Sequence, residues 1–266
     1  MFQAGFLALE GSPGFFYHPK FGVECTVYVD DFVLIAPPQL EAKIWKMLDA
    51  VIEFKEPAVE VSRYLGVYHH FGKLPDGTIT CKTEAKSYLT AAVKRYMEEI
   101  NVKDLPYAPS PHIEDRFDDA SAAPGLQAKN AASHLMTILY VARLVRGDVI
   151  TTTSFLARRV SNWTLNEDRR LKRLFQYIWH HLNQILMHAL HPKDLPDAEL
   201  HYYPDAELGG DPLTTKATGG FWLELSSTHA VRALGQYAGS PRKPDTLAVP
   251  QQTPKPGAAS GHANKV

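Results

Sequence analysis

The chain opens with short apolar and aromatic runs broken by turn residues. From Phe15 to Ile35, β-branched and aromatic positions follow the punctuation Gly11-Ser12-Pro13-Gly14, a pattern that predicts strands and turns. Pro37-Pro38 then opens a helix with apolar residues Leu40, Ile44, Met47, Leu48, Val51 and Ile52 at i, i+4, i+7 and i+8 spacing. Two strands, Tyr64 to Phe71 and Thr78 to Cys81, flank the turn Pro75-Asp76-Gly77. A helix from about Thr83 to Ile100 follows, with Tyr88, Leu89, Ala92, Val93, Tyr96 and Met97 on one face. The first hundred residues thus alternate strand and helix.

Asp104 to Gly125 carries Pro106, Pro109, Pro111 and Pro124 among acids and reads as a linker or long loop. Leu126 to Leu190 reads as helical. One stripe holds Ala131, Leu135, Ile138, Leu139 and Ala142; another runs Leu171, Leu174, Phe175, Ile178, Leu182, Ile185 and Leu186. His201 to Leu225 returns to strand character, with Gly209-Gly210 and Gly219-Gly220 as turn marks. After Ser240 five prolines and no Phe, Trp or Tyr appear, a composition expected of a disordered tail.

Composition adds less. A hydrophobic content of 45% supports a core, and a formal net charge of -1 is silent about nucleic acid. Its distribution is more informative: Arg143 to Arg173 holds eight Arg or Lys against three acids, a local excess of +5. Such a segment points toward a phosphate-bearing partner. Cys25 and Cys81 are too few for a disulfide scaffold, so a reducing, intracellular setting is expected, with cytoplasm and nucleus not distinguished. No apolar stretch approaches the ~20 residues that span a bilayer, and Met1 to Leu9 lacks the basic start of a signal peptide. A membrane is therefore not an expected partner.

The sharpest chemistry is Tyr28-Val29-Asp30-Asp31, two adjacent carboxylates inside the apolar run Val27 to Ile35. A buried strand excludes charge and neighbouring aspartates repel, so the pair calls for a cation, most naturally a divalent metal. A tight hairpin can present both side chains at its bend, where strand alternation lapses. The competing reading is a solvated turn that happens to contain two aspartates.

Val27 to Ile35 resembles the catalytic hairpin of reverse transcriptases, specifically those of copia-type retrotransposon polyproteins. Further stretches resemble the same family in the same order: Tyr64-Leu65-Gly66-Val67, Lys86-Ser87-Tyr88-Leu89, and Arg146-Gly147-Asp148-Val149-Ile150, with Gly147 where the family has proline. Leu171 to Ile178 is similar to a helix of that family. Tyr203-Pro204-Asp205-Ala206 and Thr214 to Gly220 resemble the opening strands of the attached ribonuclease H domain.

The resemblance implies an α+β fold: a partial palm of antiparallel sheet and helices over residues 1–103, then a linker at 104–125. A thumb- or connection-like helical region at 126–195 follows, then an incomplete ribonuclease H-like start at 196–228 and a disordered tail at 229–266. It implies RNA-directed DNA polymerase chemistry with magnesium held by Asp30 and Asp31, the aromatic Tyr28 near the primer end, and an RNA template with a DNA primer as partners. Arg158, Arg159, Arg169, Arg170, Lys172 and Arg173 would track the nucleic-acid backbone, the competing reading being an ordinary charged and solvated helical surface. The family's third metal-binding aspartate lies on an earlier palm strand. Before Asp30 the only acids are Glu10 and Glu24, so the expectation is a truncated, inactive polymerase, with other polyprotein segments as a potential complement.

Asp205 matches the first acidic ligand of the nuclease, yet only Glu224 and Asp245 follow Asp211 as partners, so an ordinary strand-edge carboxylate is the preferred reading. His180, His181, His188 and His191 lack cysteines or carboxylates at ligand spacing and read as non-metal histidines. Arg146 and Asp148 suit an ion pair or helix cap, and Cys25 suits the core. The alternative function is a non-catalytic nucleic-acid-binding or structural remnant.

Overall fold

The computed structural model describes residues 1–114, 118–119, 122–207, 218–226 and 231–238. The chain divides into two units, Met1–Leu65 and Gly66–Val266. The helix that follows residue 84, expected to belong with the hairpin, falls in the second unit. The reason is packing: it buries its apolar face among the later helices.

In the first unit, β1 (Leu7–Ala8), β2 (Phe15–His18), β3 (Val23–Tyr28) and β4 (Asp31–Ile35) form an antiparallel sheet in chain order. Helix α1 (Pro38–Asp49) follows, with Pro38 in its first turn, where a missing N–H costs nothing. A two-residue strand, β5 (Arg63–Tyr64), closes the unit. Period-2 alternation buries Val23 and Cys25 against Ile44 and Leu48 of α1, with Phe6 beneath, while Phe32 and Leu34 of β4 pack on the same cluster. Burial pushes the Cys25 thiol up to about 11, as befits a packing cysteine rather than a reactive one.

The second unit begins with β6 (Val67–Lys73) and β7 (Ile79–Glu84). The turn between them is the Pro75-Asp76-Gly77 element: Thr78 N donates to Asp76 Oδ1 at 2.9 Å, and Gly77 takes φ 93°. Helices α2 (Lys86–Glu99), α3 (Ala128–Leu144), α4 (Gly147–Ala157) and α5 (Leu165–His180) share one core, in which Leu89, Val93, Leu135, Ile138, Leu156, Leu171 and Leu174 are buried. Here the helical expectation for 126–190 fails at its end. Leu186–Leu190 is a strand, β8, antiparallel to β7. Finally β9 (Glu199–Glu207), β10 (Thr218–Ser226) and β11 (Val231–Ala238) form a second antiparallel sheet, ordered β11-β10-β9. The tail expected to be disordered from 229 therefore holds a strand at Val231–Ala238; its remainder lies outside the described residues.

The proline-rich stretch after α2 is no free linker. Leu105 and Ala108 are buried in the helical core. Three α5 side chains hold its carbonyls: His180 Nε2 donates to Leu105 O at 2.7 Å, Arg173 Nε to Ser110 O at 2.8 Å, and Arg170 Nε to Ile113 O at 3.3 Å. Prolines cannot donate to a ladder, so the strap is fixed through its acceptors.

His134 of α3 is buried between α2 and α5. Its Nδ1 faces Arg95 Nη2 at 3.4 Å, and because arginine only donates, Nδ1 accepts. Nε2 therefore carries the proton and donates to Glu99 Oε2 at 2.8 Å. Burial, outweighing the Glu99 carboxylate, holds the His134 pKa below its ordinary value. The unfolded chain then takes up a proton more readily than the folded one. Stability should fall as pH drops below about 6.5, by at most about 1.4 kcal/mol per pH unit, and show no such loss above it. Urea unfolding at neutral and mildly acidic pH should show this loss shrinking in His134→Gln; an unchanged pH dependence would remove His134 from the account.

Candidate functional site

The hairpin of β3 and β4 pairs Tyr28 with Asp31 and leaves Val29-Asp30 as a two-residue loop. Val29 takes φ 57°, a left-handed backbone that a β-branched residue rarely tolerates, and its side chain is 84% exposed. Nothing is gained from burial there, so the tip stores strain of order 1–3 kcal/mol. Val29→Gly should recover part of it, raising the unfolding free energy by about 1 kcal/mol after the greater flexibility of unfolded glycine is counted. Urea denaturation measures this directly, and a loss of stability would show that the Val29 side chain has a packing role.

Asp30 and Asp31 sit at this tip and are exposed, as is Tyr28. This corrects one part of the sequence argument. The apolar run is cut by the bend, so the carboxylates are hydrated and desolvation does not itself demand a cation. Among the described residues no three His, Cys, Asp or Glu side chains gather as a metal cage. Glu24 stands opposite Ile35, at the far end of the β3–β4 ladder from Asp31. Of the magnesium ligands implied by the resemblance, the hairpin thus presents Asp30 and Asp31, and no third acidic side chain joins them among the described residues.

The basic residues belong to the second unit, and much of their charge is spent internally. Arg170 is fully buried, 2.7 Å from Asp118 Oδ1 and 3.6 Å from Glu167 Oε1. Arg159 is buried beside Glu167 at 3.7 Å, with its guanidinium 3.7 Å from the Phe155 ring centre. Arg158 lies farther over the same ring, and Arg173 is tied to Ser110. Arg146 makes a two-point contact with Asp148, at 2.9 and 2.8 Å, the expected ion pair. Only Arg169 and Lys172 of the six expected phosphate contacts are exposed. Arg159 and Arg170, expected among the phosphate contacts, are enclosed in the core and do not present their guanidinium groups at the surface.

Sequence reasoning missed the acids that hold this arrangement. Glu167 forms a capping box with Thr164, accepting from Thr164 N at 2.9 Å and from its hydroxyl at 2.6 Å. Asp168 accepts from Trp163 Nε1 at 2.6 Å and from the backbone N–H groups of Leu126 and Gln127, so α5 holds the turn that leads into α3. The Thr-x-x-Glu spacing was a readable signal for the first.

Asp205 lies exposed on β9, opposite Gly220, whereas Glu224 of β10 stands opposite His201. Four residues of strand, about 13 Å, separate the two carboxylates. Gly209-Gly210, Asp211, Asp245 and most of Thr214 to Gly220 lie outside the described residues. The histidine group disperses into separate contacts: besides His180 on Leu105, His181 Nδ1 donates to Tyr177 O, and His191 Nε2 donates to Asp76 O.

No family model, no curated protein and no solved structure matches the chain. Its class is accordingly set by its own architecture, an α+β protein of antiparallel sheets and helices. Among the described residues no helix is long and apolar enough to cross a membrane.

Proposed function

We propose that the chain derives from the palm and following helical region of a copia-type reverse transcriptase, an RNA-directed DNA polymerase, and that in its present form it does not transfer nucleotides. The observation that carries this reading is the hairpin tip, where a strained Val29 lies between Tyr28 and the exposed Asp30-Asp31 pair. Strain kept at an exposed bend is characteristic of functional sites. The proposed loss of activity rests on the ligand count: two carboxylates do not replace a cooperating set of three, and among the described residues no third joins them. Arg169 and Lys172, the two exposed members of the basic set, with the half-buried Arg158 and Arg173 beside them, are the proposed contacts to an RNA template or DNA primer.

Two measurements on the purified chain and its Asp30→Asn form test the reading. Magnesium-supported primer extension on an RNA template is expected from neither; extension lost in the variant would mean that a further ligand completes the site. Manganese broadening of backbone resonances is expected to centre on Asp30 and Asp31 and to weaken in the variant. Broadening elsewhere, or none, would detach the hairpin from a polymerase ancestry.

A further inference from the structure

The free edge of β4 is chemically unfinished. In a hairpin with a two-residue loop the pair flanking the loop exchanges hydrogen bonds, and thereafter bonded and non-bonded pairs alternate. Tyr28–Asp31, Thr26–Val33 and Glu24–Ile35 are then the bonded pairs, and the backbone groups of Phe32 and Leu34 point away from β3. β4 is the last strand of its sheet, and no backbone hydrogen bond among the described residues takes these groups up. The strand also lacks the lysine or proline that usually protects an edge, since it reads Asp-Phe-Val-Leu-Ile.

Within the same unit a cleft of about 600 Å³ is lined by Asp31, Phe32 and Val33 of β4, with Trp45 and Phe54. Phe54 meets Phe32 edge-on at 5.2 Å and Trp45 at 5.6 Å, so the cleft has an aromatic wall. An unpaired strand edge beside a side-chain pocket is the pairing used in β-augmentation, where backbone bonds supply affinity and the pocket supplies selectivity. Charge restricts the guest further. Four acidic and three basic side chains line the cleft, and no salt bridge engages Asp30 or Asp31 among the described residues.

We propose that the β4 edge is a strand-addition site for an extended segment of another polypeptide, apolar at alternate positions and bearing a lysine or arginine beside Asp31. A second copy of this chain is a poorer guest. Antiparallel pairing of two β4 edges about Val33 sets Asp31 against the copy's Ile35 and supplies no cation. The proposal goes beyond the polymerase reading and does not depend on it.

The test uses the full chain with short capped peptides of alternating valine and threonine, ending at either terminus in lysine or in glutamate. The lysine peptides should slow amide exchange at Phe32 and Leu34 by tenfold or more, and bind at least about tenfold more tightly than the glutamate ones. N-methylation of the peptide amides that face β4 should abolish binding. Asp31→Lys should reverse the charge preference, and the retained affinity for the glutamate peptides then excludes misfolding as the cause. Failure to protect Phe32 and Leu34, equal affinity for both charges, or concentration-dependent protection without peptide, as from a dimer, would each overturn the proposal.

Discussion

Arg170→Met should lower the free energy of unfolding by about 3 kcal/mol, while leaving any affinity for nucleic acid nearly unchanged once the protein is folded. The side chain is fully buried, contacts two carboxylates and donates to the Ile113 carbonyl. Removing one partner of a buried ion pair typically costs about 3–5 kcal/mol, because the opposite charge stays behind without its counterion. The lower end applies here, since Glu167 keeps Arg159 at 3.7 Å and its contacts with Thr164. Arg170→Lys should recover only part of the loss, as an ammonium cannot reproduce the guanidinium fork. Urea unfolding and filter binding separate the alternatives. Normal stability with weakened nucleic-acid binding would return Arg170 to the phosphate-contacting set.

Phe175→Ala is expected to cost about 3–5 kcal/mol, the range for deleting a buried phenyl group. Phe175 is fully buried and stacks on Tyr96 of α2 at 4.1 Å with only 6° between the rings. It also meets His134 of α3 edge-on at 5.4 Å. Its removal therefore opens a cavity where three helices meet, and loses aromatic contacts beyond simple area burial. Phe175→Leu should recover about half of the loss by refilling most of the volume. A loss below about 1 kcal/mol for the alanine variant would show that the three helices can close over the gap.

These effects fall on residues of unequal visibility in the sequence. The hairpin was legible because Val27 to Ile35 is apolar except at its bend, and α1 because Pro37-Pro38 precedes a helical stripe. The Pro75-Asp76-Gly77 turn was legible for the same local reasons. β8 was not: Leu186 continues the apolar spacing of α5, and a short apolar run can serve either period. The division at residue 65 was also hidden, because which neighbour the α2 face buries against is a tertiary choice. At the candidate site, the sequence located Asp30 and Asp31 but not their exposure, which depends on where the turn falls. Arg170 was read from its charge alone; its counterion Asp118 lies in a segment that composition marks as a linker.

The strap also sets an order of events on the ribosome. Its carbonyls are claimed by α5 side chains 57 to 75 residues later in the chain. At about 5–20 residues per second, several seconds pass between synthesis of the strap and synthesis of the helix that fixes it. During that interval Leu105 and Ala108 lack the α5 part of their core, and the unheld segment is open to chaperones and proteases. Residues 104–114 should thus be a cleavage-sensitive interval in nascent chains stalled before α5, and a resistant one in the finished protein.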